Sequence, residues 1–321
     1  MERIIYVPIE RLQERYSSQW DDWFEAAFKK HGIPFIRVGD YTERHITQGE
    51  FLDVVDTNQY KNKQISQILA TLKMFPKDSY TIFFTDVWFP GIEMIAYVRD
   101  ALKMDIRIVG MLHAGTYDPH DFLTRSGMRY WGRSFEQSVI NICDKILLAT
   151  DFHRHLIGDA GLDLQGKSEI VEWPVETDFN LYEKDNIVVF PHRLAPEKQP
   201  DQFDVMMMKY GEKYGHETIW VRTKDVCKTK DEYYKLLARA KVSVSTALQE
   251  TYGIAMVESV NNGCIPVAPN RLSYKEVLRD FKLYEDLDEA VDLVHQAIIN
   301  YKRPNKIQGK EISWLKKILQ K

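Results

Sequence analysis

Hydrophobic and polar positions along the chain switch repeatedly between two periods. Residues 3–7 are a short apolar run and predict a first strand. Trp20, Trp23, Phe24, Ala27 and Phe28 then recur at helical spacing, which predicts a helix with this stripe facing the core. Residues 11–18 look like a polar loop, with Ser17 or Ser18 as the helix cap. His31-Gly32-Ile33-Pro34 closes that helix, and residues 35–38 form the next strand. A helix is expected over 63–72, and strands over 80–85, 106–112 and 145–149. Beyond residue 180 the alternation resumes. Strands are expected at 187–190, 218–221 and 241–246, and helices at 201–214 and 231–240. A helix follows from Ile254, then a short strand over 265–267, and a helical run over 290–301. Trp314, Leu315 and Ile318 mark a short amphipathic helix in the tail. Strand and helix in regular alternation predict α/β architecture with parallel sheets covered by helices.

Length and composition narrow the picture. A chain of 321 residues is long enough for two ordinary domains. It has 44% hydrophobic and 28% charged residues, as a globular protein does, and no apolar run long enough to span a membrane. The first residues read as a strand and not as a signal peptide. Cys143, Cys227 and Cys264 are scattered, which suits a reducing compartment better than a disulfide framework. The expectation is therefore a cytoplasmic protein with no membrane partner. A net charge of −4 argues against a dedicated DNA-binding protein but leaves room for a local basic patch. The oligomeric state is not legible.

Candidate chemistry sits where the strands end, since an open parallel sheet binds ligands beyond its carboxyl edge. Asp86, His113 and Asp118 fall at or just after such ends. A single one would be a turn residue; three at successive strand ends point to a site. His120, His153 and His155 match none of the usual zinc spacings. Arg125, Arg129 and Arg133 are spaced by four, hence on one helical face, with Tyr130 and Trp131 between them. Arginines interleaved with aromatics suit phosphates and bases. The plain alternative is a solvated basic face, and Gly127 and Gly132 weaken the helix itself.

The second half carries two denser stretches. Pro191-His192-Arg193-Leu194-Ala195-Pro196-Glu197-Lys198 places an arginine and a lysine beside a helix start, where they could neutralise a diphosphate. Glu250 and Glu258 stand eight residues apart, in the loop and on the helix after the 241–246 strand. The amides of Thr251, Tyr252, Gly253 and Ile254 are expected at that helix's positive end, a natural place for a phosphate or sugar oxygen. Asn262-Gly263-Cys264-Ile265-Pro266-Val267 stops the helix and opens a short buried strand. Asp286-Leu287-Asp288 precedes a helical run, and capping explains it better than metal binding.

These stretches resemble the donor site of retaining, family-4-type glycosyltransferases of the GT-B fold. The signatures are Arg-Leu-x-x-x-Lys at Arg193 to Lys198 and the two glutamates with Gly-Cys-x-Pro-Val downstream. Within that family, PHRLAPEKQPDQF and VSTALQETYGIAMVESVNNGCIPVAPNRLSYKEV look most like the tRNA-queuosine mannosyltransferase clade. The opening YVPIERLQERYSSQWDDWF looks like phage glycosyltransferases that modify hydroxymethylated DNA bases. Two features depart from the pattern. Residues 8–18 lack the usual Gly-rich loop, and AGTYDPHDF follows His113.

The resemblance implies α/β GT-B architecture, two Rossmann-like domains facing across a cleft. The acceptor domain would span 1–178 and the nucleotide-sugar domain 179–300, with the last helix, 301–321, crossing back to the first. It implies a hexosyl- or pentosyltransferase with a UDP-sugar or GDP-sugar as donor and neither cofactor nor metal. His113, Arg193, Lys198 and Glu250 would be catalytic. Thr251, Tyr252, Gly253, Ile254 and Glu258 would bind the donor. Asp86, Asp118, Arg125, Arg129 and Arg133 would face an acceptor, a modified base in DNA or tRNA, in a host cytoplasm if the chain is phage-encoded. A glycan or lipid acceptor, and a non-catalytic nucleotide-sugar binding module, are the alternatives left standing.

Overall fold

The computed structural model describes residues 2–12, 15–44, 52–176, 182–307 and 309–320. The domain boundary expected at Asp178 lies outside these residues. The chain forms two compact units. The first comprises Met1–Ala149, Arg154–Glu172 and Glu311–Lys321; the second comprises Thr150–His153 and Trp173–Lys310.

The first unit holds six parallel strands: β1 (Glu2–Val7), β2 (Phe35–Arg37), β3 (Ser79–Phe84), β4 (Ile106–Met111), β5 (Lys145–Leu148) and β6 (Ser168–Ile170). Their order is β2-β1-β3-β4-β5-β6. The connecting helices are α1 (Tyr16–Lys30), α2 (Val54–Met74), α3 (Ile92–Leu102), α4 (Phe122–Arg125), α5 (Arg129–Ile142) and α6 (Asp151–Asp159), of which the first residues count with the second unit. Strand side chains such as Ile5, Ile82, Phe84, Ile108 and Ile146 meet helix side chains such as Ile65, Ile68, Ile95 and Val139 in one core. Trp20, Phe24 and Phe28 of the expected stripe are buried. Each such side chain contributes about 1.5–3 kcal/mol by leaving water.

Helix α1 starts earlier than its pattern suggests. Arg15 is the N-cap with no side-chain cap bond, and Ser17 and Ser18 lie buried inside the helix. Tyr16 packs on Trp20 with ring centroids 4.8 Å apart and tilted by 55°, so the aromatic face extends one turn upstream and carries the helix with it. Helix α2 is twice the expected length, opened by Asp53, whose side chain accepts from the Asp56 amide. Periodicity had left α3, α6 and β6 without expectation.

The second unit holds β7 (Asp185–Phe190), β8 (Ile219–Arg222), β9 (Ala240–Val244) and β10 (Ile265–Val267), parallel and in the order β10-β9-β7-β8. Its helices are α7 (Pro200–Tyr214), α8 (Thr223–Val226), α9 (Lys230–Arg239), α10 (Ile254–Asn261), α11 (Tyr274–Val277) and α12 (Leu287–Ile299). Val188, Phe190, Val242 and Val244 pack under Phe203, Met206, Val291 and Val294 of α7 and α12. Asp286 caps α12 by accepting from the Glu289 amide at 2.9 Å, so the Asp-x-Asp motif is a helix start. The tail helix α13 (Leu315–Leu319) belongs to the first unit. There Trp314 meets Phe24 and Phe83 edge-on, and Arg107 donates to the Ile318 carbonyl at 2.7 Å.

Among the described residues, no helix is long and apolar enough to cross a membrane.

Candidate functional site

In the second unit β7 and β9 are neighbours, so the loops leaving their carboxyl ends lie side by side. The β7 loop runs through His192 and Arg193 into a single 3-10 turn, Pro196–Lys198. The β9 loop runs from Ser245 to Gly253 and opens α10. Hydrogen bonds to backbone carbonyls join them: Leu248 N donates to the Glu197 carbonyl at 2.8 Å, and Thr246 Oγ1 to the Lys198 carbonyl at 2.8 Å. Sequence neighbours of β7 and β9 thus converge on one place, although Lys198 and Glu250 stand 52 residues apart.

The convergence is ionic. Lys198, buried, donates to Glu250 Oε1 at 2.6 Å, to the Gln249 carbonyl, and to Gln249 Oε1 at 3.3 Å. Arg193 is 34% exposed and gives Nε and Nη2 to Glu197 Oε1 at 3.0 and 2.5 Å. His192 Nδ1 lies 3.8 Å from Glu250 Oε1. Burial, then Lys198 and Arg193, push the His192 imidazole well below the usual histidine range, so it is neutral. Each cation therefore already holds a carboxylate; Arg193 keeps part of its guanidinium exposed, while Lys198 would have to exchange one of its acceptors to meet a ligand. Two such cations suit an anion with several oxygens.

Glu258 lies on α10 with its side chain buried. It accepts from Lys230 Nζ at 2.9 Å, Tyr233 Oη at 3.0 Å and Tyr234 Oη at 2.6 Å. Helix α10 starts at Ile254, with Gly253 as N-cap at φ 89°. Thr251 and Tyr252 precede the helix, so the expected row of four amides in its first turn is shorter than the sequence suggested. Met256 N and Val257 N already bond the Gly253 carbonyl.

The first unit assembles a looser group. The strand order makes β1 and β3 adjacent and places the reversal of winding between them, where doubly wound sheets bind ligands. Glu10 follows β1, Asp86 follows β3 and His113 follows β4. Lys61 of α2 donates to the Trp88 carbonyl at 2.8 Å and lies 4.0 Å from Asp86 Oδ2. Burial draws its ammonium below the usual lysine range. Glu10 accepts from Thr57 Oγ1 at 2.6 Å, and burial raises its carboxyl. His113 is held by the Thr85 carbonyl at Nε2, 2.6 Å, and by Tyr16 Oη at Nδ1, 3.1 Å. Burial, against the pull of Asp86, lowers its pKa. Asp118 is buried in a turn and accepts from the His120 amide at 2.8 Å.

The three arginines do not share a helix. The chain breaks between α4 and α5 at Gly127, whose φ of 77° is left-handed backbone that glycine accepts. Arg125 ends α4 and gives Nε to the His120 carbonyl at 3.2 Å; Arg129 and Arg133 lie on α5 beside exposed Tyr130. Gly132 has a packing role in α5. A Cβ there would stand 2.5 Å from Thr116 Cγ2, so the glycine lets the helix close on the loop after β4. Glu136 fastens the same contact. It accepts from Thr116 N at 2.5 Å, Thr116 Oγ1 at 2.7 Å and Trp88 Nε1 at 3.1 Å.

Sequence reading passed over Glu10, Lys61, His192, Glu197, Gln249, Lys230, Tyr233 and Tyr234. Glu197 lies four residues from Arg193 in the same loop. The Lys230 and Tyr234 contacts to Glu258 carry no local signal.

No protein-family model matches the chain. A tRNA-queuosine alpha-mannosyltransferase of Drosophila melanogaster is 28% identical over 166 residues, covering 44% of this chain and 41% of that protein. The match thus spans less than half of that relative. Among solved structures, a sucrose-phosphate synthase from Thermosynechococcus elongatus aligns over 94% of this chain and 90% of that chain, with a TM-score of 0.63 and 9% identity. S. aureus TarM, solved with fondaparinux, alpha-GlcNAc-glycerol and UDP, aligns over 74% of this chain and 52% of that chain, with a TM-score of 0.51 and 15% identity. The chain has the GT-B fold, two Rossmann-like units in one polypeptide.

Proposed function

We propose that the chain is a glycosyltransferase that moves a sugar from a nucleotide-diphosphate sugar to an acceptor hydroxyl, without a metal and with retention of anomeric configuration. The observation that carries the reading is the joining of Lys198 to Glu250 at 2.6 Å, with Arg193 on the same loop, at the carboxyl edge of a Rossmann-like sheet. Its support is the GT-B fold, the partial mannosyltransferase match and the UDP held by the TarM neighbour.

In this reading the second unit is the donor domain and the first the acceptor domain, with the tail helix counted in the latter. Arg193 and Lys198 face the diphosphate. As the bond from the sugar to the diphosphate breaks, negative charge grows on the leaving oxygen, and the two cations stabilise it by exchanging part of their present hydrogen bonds for the phosphate oxygens. Two such cations supply the positive charge that a divalent metal would otherwise bring. Glu250, held by Lys198, orients the sugar through its hydroxyls, and Glu258 accepts from the ribose. Thr251 to Ile254 line the turn beside the diphosphate. His113, kept neutral by burial, is the first unit's candidate catalytic group.

The acceptor we favour is a modified base in nucleic acid, in phage-type hydroxymethylated DNA or in tRNA. The mannosyltransferase match supports it, as do Arg129 and Arg133 on α5 with Tyr130 beside them. The target base would have to be unpaired or flipped out to reach an enclosed donor. Asp86 and Asp118 would address its hydroxyl end.

The test is a donor-hydrolysis screen over UDP- and GDP-sugars, repeated with hydroxymethylated DNA and with tRNA. Hydrolysis of one donor and transfer to one nucleic acid are expected. No turnover of any donor sinks the enzyme reading; transfer to simple glycans alone replaces the acceptor.

A further inference from the structure

One oxygen of the Glu258 carboxylate is held differently from the other. Oε2 accepts from Tyr233, a buried phenol that burial pushes far above its usual range. Oε1 accepts from Lys230 and Tyr234, whose side chains reach the surface. Lys230 is 24% exposed and rides over the rings of Tyr233 and Tyr234 at 4.9 and 5.1 Å. Both residues lie at the start of α9, which Thr229 and Glu232 secure with a capping box. Glu258 is therefore fixed from the inside and covered from the outside by two groups that can move away.

We infer that Lys230 and Tyr234 are specificity-determining residues: they occupy on Glu258 the place that two adjacent hydroxyls of a ligand take. The inference rests on the donor-site reading of Glu258 above. A buried carboxylate left short of partners is costly, so a ligand that displaces an ammonium and a phenol must bring two donors in return. The vicinal diol of a ribonucleotide does so. A 2′-deoxyribonucleotide brings one hydroxyl and leaves the exchange incomplete. The displaced ammonium keeps a favourable seat over the Tyr233 ring. The ligand class selected is a nucleoside diphosphate with an intact ribose diol.

The test is calorimetric titration of UDP, GDP and their 2′-deoxy forms into wild type, Lys230→Met, Tyr234→Phe and Tyr233→Phe, each first shown by thermal melting to be folded. Wild type should prefer the ribo form by about tenfold or more, the scale of one hydrogen bond to a charged acceptor. Lys230→Met and Tyr234→Phe should bind ribonucleotides several-fold more tightly and narrow the gap to the deoxy forms, since fewer donors need replacing. Tyr233→Phe should lower both affinities together and keep their ratio. An unchanged gap in Lys230→Met and Tyr234→Phe, or weakening in all three variants alike, overturns the inference while leaving the donor site in place. Failure of wild type to bind either UDP or GDP overturns the donor-site reading and this inference with it.

Discussion

The two units share one design, a parallel sheet with polar groups at its carboxyl edge, yet they build that edge differently. In the second unit two loops from neighbouring strands lock together by hydrogen bonds to backbone carbonyls, and their charges meet as Lys198–Glu250 and Arg193–Glu197. In the first unit Glu10, Asp86 and His113 come from three strands and are held mostly one at a time, by Thr57, the Trp88 amide, and Tyr16 with Thr85. A charged, interlocked edge presents the same face to one invariant ligand group. A looser edge can exchange single residues without dismantling its neighbours. On the function proposed above, the interlocked edge is the one assigned to the diphosphate.

The sharpest way to break the comparison is to remove its best-held cation. Lys198→Ala should lower turnover by about 10²–10³-fold, as the loss of one preorganised donor does. It should also destabilise the fold by about 3–5 kcal/mol, because Glu250 would remain largely buried without its partner. Steady-state kinetics and urea unfolding read the two effects. Arg193→Ala should cost roughly 10–100-fold in turnover, on the low side of the same scale. Its effect on stability should be small, since the side chain is one-third exposed. If both variants turn over within a few-fold of wild type, the clamp assignment fails.

The histidines sharpen the contrast through pH. Burial lowers the folded pKa of His192 and of His113 below the unfolded value of about 6.5. As pH falls past that value the unfolded chain takes up protons first, so stability is intact above it and declines below it. Each histidine adds at most about 1.4 kcal/mol per pH unit to the decline. His192→Gln should flatten the acid limb more than His113→Gln, since His192 has two cations among the causes of its shift. Unfolding curves between pH 7 and pH 5 decide this, and an unaltered limb in both variants contradicts it.

Smaller effects belong to the first unit's surface. Replacing Arg129 and Arg133 together by Ala should raise the apparent Michaelis constant for nucleic acid several-fold, more at low salt, and leave donor hydrolysis alone. Equal loss in both assays would show that α5 needs these side chains for packing. The smallest effect expected is none at all: activity should survive excess EDTA. Complete loss with recovery on adding Mn²⁺ would end the metal-independent reading.

Much of the second unit was legible because its chemistry is local. Arg193 and Lys198 lie on one loop, Glu250 and Glu258 on one loop and helix, and the hydrophobic periods on either side fix strand and helix around them. Periodicity also sufficed for the parallel α/β order, and Asp286 as a cap followed from its place before an apolar helix. What tertiary structure decided is which distant groups answer these charges. Lys230 and Glu258 are 28 residues apart, Lys61 and Trp88 are 27, and Tyr16 and His113 are 97. Such partners depend on strand order and helix register, and a one-dimensional pattern carries neither. The arginine spacing failed for the same reason. A period of four implies a shared face only on an unbroken helix, and left-handed backbone at Gly127 breaks it. Gly132 has the opposite lesson. It lowers helix propensity by about 1 kcal/mol relative to alanine, yet the approach of Thr116 leaves no room for a methyl group, and packing outweighs propensity.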